Sequence, residues 1–445
     1  MPTDATQIEA RNSSTRRLKI AFVFPPIWPP HSDGSLQIWN REVTRQLSRS
    51  NDVLVYSGKF DCNRADLVPG VEYRRISTRL DQMFVRVLQR VRRALGIRRL
   101  LFSIDLWHIL YALKIGLDLR KRRCDVVHIY NYPQFAHFIR RLNPNLRIIL
   151  NMHGEWLTQI PFANLQRRLH DPDLIVSCSD LITRAISAKF PDIAEHCKTI
   201  PMGVSVDLFS KTAQDPRPEA PPPRKLLYVG RISPEKGVHD LIDAFELIRR
   251  EFSDASLTIV GPEWVAPREF IADHCLGRDE VAKLAPFYEG SYLSQLKEKL
   301  SAEVSSGVTF AGLVDHKSIA KYYAAADVYL TASLYESFGM SIIEAMAAGV
   351  PVVAARGGAV PDVVSNERTG LLVAKGDPSA LAAAVSRLFT NTPLRNAIVN
   401  ESLHYVRTQF SWETIGSRLL QLYSAAPVPM AARVDQVGCV SETKV

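Results

Sequence analysis

The chain has 445 residues, more than one compact core accommodates, so two domains are expected. Hydrophobic residues make up 46% and charged residues 23%, which excludes wholesale disorder. Six scattered cysteines without a C-x-x-C pair argue against a zinc site or a disulfide framework and suit a reducing compartment, while the net charge of +9 raises the question of where the basic residues gather.

The N-terminus, "MPTDATQIEARNSSTRR", lacks an apolar core of signal-peptide length, and no stretch is apolar for long enough to cross a bilayer. A cytoplasmic protein, or one peripheral on the inner face of a membrane, is expected. The runs "KIAFVFPP" (19–26), "NDVLVYSG" (51–58), "CDVVHIY" (124–130), "LRIILNMHG" (146–154) and "DLIVSCS" (173–179) read as strands. They are nearly continuous in Val, Ile and Leu, as parallel strands buried on both faces must be. Helical patterns such as "LQIWNREVTRQLSR" lie between some of them, so the grammar is βαβ and predicts a doubly wound sheet. Cys124 and Cys178 fall in these apolar runs and read as buried structural thiols.

The basic residues gather between the second and third predicted strands. Arg86, Arg90, Arg92, Arg93, Arg98 and Arg99 are followed by an apolar stretch and then by "RKRR" at 120–123. Residues 86–123 therefore suit an anionic membrane surface or a polyanionic acceptor, and equally a solvated, arginine-rich helix face. No aromatic-interleaved basic module is present, so nucleic acid is not an expected partner.

Residues 210–225, "SKTAQDPRPEAPPPRK", read as a linker. The βαβ grammar then restarts, with strands expected at 225–231, 256–261, 307–312, 327–333, 350–356 and 370–375. The predicted architecture is α/β: two Rossmann-like doubly wound domains facing a cleft. The 262–306 stretch is long for one crossover and predicts an irregular insert before a helix near Ser291. The predicted division is a disordered N-terminus over 1–17, a domain over 18–209, a Pro-rich linker over 210–224, a second domain over 225–400 and a disordered tail over 426–445.

Chemistry concentrates in two stretches of the second half. In "YVGRISPEKG" (228–237), Arg231 and Lys236 follow a strand end within one loop. They supply a guanidinium fork and a point charge of the kind a diphosphate needs. In "YESFGMSIIEAMAAGVPVVAA" (335–355), a strand leads through a turn into a short helix. Ser337, Phe338, Gly339 and Met340 are placed to offer free N–H groups to a phosphate. Glu336 stands before the helix. Glu344 lies in an apolar stretch of it, where a carboxylate needs partners and a ribose diol would supply them. Helix capping and a solvent-facing side chain are the plain alternatives for this pair.

"GRISPEKG" and "ESFGMSIIE", with the E-x7-E spacing and the following "GVPVVAARGGAVPDVVSNERTGLLV", resemble the signature of the family-4 glycosyltransferases, retaining enzymes of the GT-B fold. The resemblance covers roughly residues 18–425 in layout. It implies a nucleotide diphosphate sugar donor, with UDP or GDP as the nucleotide, held by Arg231 and Lys236 at the diphosphate. Glu336 is implied at the sugar hydroxyls, the amides of Phe338 to Met340 at sugar or phosphate, and Glu344 at the ribose. Leu313 and Val314 are implied near the base. The segment 401–425 is implied to pack back on the N-terminal, acceptor-side domain. His153, at the end of "LRIIL", resembles the family's active-site histidine, whereas His128 and His137 read as packing residues. The family's glycine-rich loop after the first strand is reduced here to Gly34, beside Ser35. "DPD" at 171–173 mimics a metal motif but reads better as a turn. No cofactor and no metal are expected, since the two cations already face the leaving diphosphate. The implied activity is hexosyl transfer to a glycan or lipid-linked acceptor. A nucleotide-sugar isomerase on the same fold, a phosphorylase-type enzyme and a non-catalytic nucleotide-sugar-binding subunit are the rivals.

Overall fold

The structure is a computed structural model that describes residues 16–26, 34–58, 67–94, 104, 106–159, 165–210, 224–268 and 272–424. The 27–33 part of the first loop, residues 95–99 of the basic run, residues 211–223 of the linker and the 426–445 tail lie outside them, as does the N-terminus before Arg16.

Two parallel sheets form the frame. The first holds seven strands: β1 Lys19–Val23, β2 Asp52–Ser57, β3 Val71–Arg75, β4 Val126–Tyr130, β5 Arg147–Met152, β6 Leu174–Ser177 and β7 Cys197–Thr199. Their order is β3-β2-β1-β4-β5-β6-β7. The second sheet, in the order β10-β9-β8-β11-β12-β13, holds β8 Lys225–Val229, β9 Ser256–Val260, β10 Val308–Gly312, β11 Val328–Thr331, β12 Val352–Ala355 and β13 Leu371–Val373. In each sheet the strand order reverses at the first strand, beside β4 in one and β11 in the other. Ligands of such sheets gather in the crevice outside the carboxyl ends of the strands at that switch point. The loops after β8 and β11, which carry the two motifs, are therefore brought side by side by topology.

Apolar strands bury both faces under helices. Among these, α1 (Ser35–Leu47) buries Leu36, Ile38, Trp39, Val43 and Leu47. The basic region resolves into two helices, α2 (Arg79–Ala94) and α3 (Ile109–Arg122). The apolar run around residue 110 is not a surface segment: Tyr111, Ala112, Ile115 and Leu119 of α3 are buried against the N-terminal core. Arg122 is consumed by Asp118 and Glu72, at 2.9 and 2.8 Å. The exposed apolar face belongs to α2 instead.

The chain closes on its first domain. The helix Trp412–Ser424 packs on α1, Val204 N donates to Phe410 O at 2.8 Å, and the Tyr423 hydroxyl meets His128 Nε2 at 2.5 Å. His128 is fully buried and stacked on Phe22, and His137 is bonded to Asp171, so both serve packing. Asp173 of "DPD" accepts from Arg140 at 2.6 Å and from Ile148 N at 2.7 Å, which makes the motif a structural turn. A second tie runs between the domains, where Asp362 accepts from Leu181 N at 2.7 Å and pairs with Arg184 at 3.0 Å.

Candidate active site

Between the two sheets lies a cavity of about 440 Å³. Nine of the sequence-predicted residues line it: His153, Arg231, Lys236, Glu336, Ser337, Phe338, Gly339, Met340 and Glu344. Gly34 and Val314 do not. Gly34 precedes α1, whose first residue Ser35 reaches the cavity instead, and Val314 packs half-buried against the core while Leu313 is exposed.

The motif loops touch because glycine lets them. Gly237 has φ +63°, and a Cβ there would lie 2.2 Å from Ala332 O at the end of β11. Leu334 N donates to Glu235 O at 3.0 Å across the same seam. Lys236 Nζ is thereby held 2.6 Å from Glu336 Oε1, which also accepts from the Ser333 hydroxyl at 2.9 Å. Both contacts fall on one carboxylate oxygen. Arg231 is fixed by three groups: Glu235 at 3.0 Å, the Trp264 carbonyl at 3.3 Å and the Trp264 ring, 4.7 Å from the guanidinium carbon. Glu235, almost fully buried and also accepting from Ser233, is a positioning residue that sequence reasoning passed over. Beyond this seam the helix Met340–Ala347 begins after Gly339, whose φ of +101° only glycine adopts without strain.

Glu344 has found the partners its apolar helix demanded. His316 Nε2 lies 3.0 Å from Oε1, and the Tyr323 hydroxyl donates to Oε2 at 2.8 Å. His316 follows β10 by four residues and lines the cavity, but a single histidine in a turn gave no signal in the sequence.

The opposite wall comes from the first sheet. His153 follows β5 directly, and its backbone N–H donates to Asn131 Oδ1 at 3.1 Å. Trp39 and Tyr130 pack against the ring at centroid distances of 5.5 and 5.9 Å. Burial holds the imidazole down to about 3, so it is neutral at physiological pH, and Nε2 has no hydrogen-bond partner among the described residues. Beside it Glu155 lines the cavity with a carboxyl whose pKa is raised by burial, and Gln159 bridges Glu155 to Cys275 of the 262–290 insert. Cys178 faces the same space, but burial pushes its thiol up to about 12, so it is no nucleophile. Among the described residues no group of three or more His, Cys, Asp or Glu is placed to hold a metal ion.

A neutral imidazole on one wall and fixed cations with a helix N-terminus on the other suit a reaction that expels a phosphate. Comparison with known proteins gives the family and the fold. The Glycosyltransferase Family 4 model matches residues 37–208, and the Glycosyl transferases group 1 model matches residues 210–404. The phosphatidyl-myo-inositol mannosyltransferase of Mycobacterium leprae (strain TN) is 30% identical over 310 residues, 67% of this chain and 73% of that one. Spore coat protein SA of Bacillus subtilis (strain 168) is 25% identical over 424 residues, 91% of this chain and 99% of that one. Among solved structures, Anabaena HepE in complex with UDP and glucose shares the fold, with a TM-score of 0.63 at 18% identity over 92% of this chain and 100% of that one. The chain belongs to the family-4-type glycosyltransferases of the GT-B fold, and it is a glycosyltransferase.

Proposed function

We propose that this glycosyltransferase is a retaining enzyme that moves a hexose-type sugar from a UDP or GDP sugar to a lipid-linked acceptor or a growing cell-surface glycan. The carrying observation is the division of one cavity between Arg231, Lys236 and Glu344 on one domain and the unpartnered Nε2 of His153 on the other. Arg231 and Lys236 neutralise the charge that develops on the leaving phosphate, aided by the amides at Phe338 to Met340. Glu344 takes the ribose hydroxyls, His316 and Tyr323 holding its carboxylate in place. Glu336 and His153 position the sugar. Because side chains meet the diphosphate charge, the reaction runs without a metal or another cofactor.

Two similar proteins support the reading: one is a phosphatidyl-myo-inositol mannosyltransferase, and the other was solved in complex with UDP and glucose. No helix among the described residues is long and apolar enough to cross a membrane, and a cytoplasmic enzyme that meets its acceptor at a membrane's inner face fits this reading. The test is a thermal-shift series with UDP, GDP, ADP and TDP. At a nucleotide concentration a hundred times Kd, a native-state ligand adds about 2.7 kcal/mol of stability, a readily measured shift. One responding nucleotide names the donor class, and no response to any of the four rejects the donor site. Product analysis then separates transfer from isomerisation, which consumes donor without an acceptor.

A further inference from the structure

We propose that the outer face of α2 is a docking surface for an anionic lipid bilayer. Leu80, Met83, Phe84, Val87 and Val91 are 54, 60, 40, 50 and 49% exposed. At 3.6 residues per turn they fall within an arc of about 100°, a continuous apolar stripe turned to solvent. A monomer gains nothing by displaying such a stripe, since each of these residues forgoes the stabilisation of burial. The helix is held by its other side: Asp81 is buried and accepts from Leu110 N at 2.9 Å, and Gln82 donates to Thr78 Oγ1 at 3.1 Å.

Charge identifies the occupant. Arg79, Arg86 and Arg90 are exposed and lie in an arc of about 40° along one edge of the stripe. None of the three is ion-paired among the described residues, whereas Arg74 and Arg122 nearby are neutralised by Glu72 and Asp118. The sole acidic residue of α2 is Asp81, which faces inward. Apolar side chains flanked by unpaired arginines match the acyl and headgroup layers of an anionic membrane. A second copy of the chain would bring like charges together, and a polyanion without an apolar layer leaves the stripe uncovered.

The position of α2 gives the surface a use. Thr78, just before the helix, and Pro26, just after β1, both crowd Gly58, so α2 starts at the end of the sheet that opens on the cleft. A bilayer seated on α2 thus presents an embedded acceptor to the His153 wall. This last step rests on the transferase reading; the docking surface does not.

Flotation of the full-length protein with phosphatidylcholine vesicles, with and without phosphatidylglycerol, tests the surface. The protein is expected to float with the anionic vesicles only, and less so at high salt. Arg79→Gln/Arg86→Gln/Arg90→Gln should weaken partitioning on the order of a hundredfold. Met83→Ser/Phe84→Ser/Val87→Ser should abolish it while the protein still unfolds cooperatively, with a melting temperature only modestly lowered because these side chains are half exposed. Failure to bind anionic vesicles, or equal binding by either triple variant, overturns the proposal. So does a concentration-dependent dimer that the serine variant loses, which would make the face an interface between copies. Vesicle binding needs no nucleotide sugar, so its failure leaves the transferase reading standing. A protein that floats yet binds no nucleotide sinks only the latter.

Discussion

Replacing Lys236 by methionine separates the structural use of one ion pair from its chemical use. The ammonium lies 2.6 Å from Glu336 Oε1, with the side chains 14 and 17% exposed. Removing one partner of a buried pair costs ~3–5 kcal/mol, because the other charge is left without compensation. Here the residual exposure and the Ser333 hydroxyl at 2.9 Å still serve the carboxylate, so the expected loss is about 2–3 kcal/mol. For a domain of this size that lowers the melting temperature by roughly 5–10 °C. The double variant Lys236→Met/Glu336→Gln should recover most of this loss, since no orphan charge remains. Catalysis should not recover. If Lys236 also meets the leaving diphosphate, kcat/KM stays down by about a hundred- to a thousandfold in both variants, as for other preorganised groups aimed at developing charge. Melting curves and initial rates at all four corners of the cycle decide the matter. A double variant that melts like the single one refutes the structural argument, and one that regains activity along with stability refutes the chemical one.

Glu344→Ala removes a carboxylate that takes two hydrogen bonds in the free protein, and it should weaken nucleotide binding roughly ten- to a hundredfold by calorimetry; an unchanged Kd rejects the ribose role. His153→Ala should lower turnover about a hundredfold while nucleotide affinity stays within a factor of about two, the signature of a group that acts past the nucleotide; equal loss in both parameters places His153 elsewhere. Burial holds His128 and His153 down to about 3 and His108 and His239 down to about 4, against an ordinary 6.5. The unfolded chain therefore binds these protons first, so this contribution to stability is intact above about pH 6.5 and erodes as the pH falls, by about 2 kcal/mol per imidazole at pH 5; a flat melting temperature over that interval contradicts the burial argument. Tyr423→Phe removes the hydroxyl that meets the buried His128 and should cost about 1–2 kcal/mol, read as a lower midpoint in urea; no change would mean that water replaces the bond.

The sheets were largely legible because parallel strands buried on both faces leave unbroken runs of Val, Ile and Leu. All six strands of the second sheet could be read, although the edge strand β10, "VTFAG", is only partly buried and carries no such run. Two strands of the first could not: β3, Val71–Arg75, is a half-exposed edge strand carrying three charges, and β7, Cys197–Thr199, is three residues long. The apolar part of the basic region misled for a related reason. Periodicity distinguishes apolar from polar faces but not bilayer from core, and only the packing shows that α3 turns inward while α2 turns out. At the site, the motif glutamates and cations stood out because charges in apolar or glycine-rich surroundings require a reason. Glu235, His316 and Tyr323 did not, because their role lies in holding another side chain: Glu235 braces Arg231 within one loop, and His316 and Tyr323 reach Glu344 from 28 and 21 residues away.

The cavity also explains why two domains are needed for one reaction. Among the described residues, the Lys and Arg side chains that line it, Arg231 and Lys236, belong to the second domain, and the His153 wall opposite carries a neutral imidazole and a carboxyl whose pKa burial raises. A phosphate leaving group is thus drawn to one side only. Under the proposed transfer, one wall attracts the negative charge that develops on the leaving phosphate and the other offers hydrogen bonds without opposing charge. Were His153 protonated, the positive field would be shared by both walls and would lose its direction, so on the proposed mechanism burial of the ring under Trp39 and Tyr130 would serve the chemistry as well as the core. The walls are fixed relative to each other by the returning helix Trp412–Ser424 on α1 and by Asp362 at the start of the helix Asp180–Lys189. Neither of these two ties touches the cavity, whereas the bridge from Glu155 through Gln159 to Cys275 and the contact of Cys178 Sγ with Ser337 O join the walls within it, so the separation of the walls is set both outside the cavity and by its own lining.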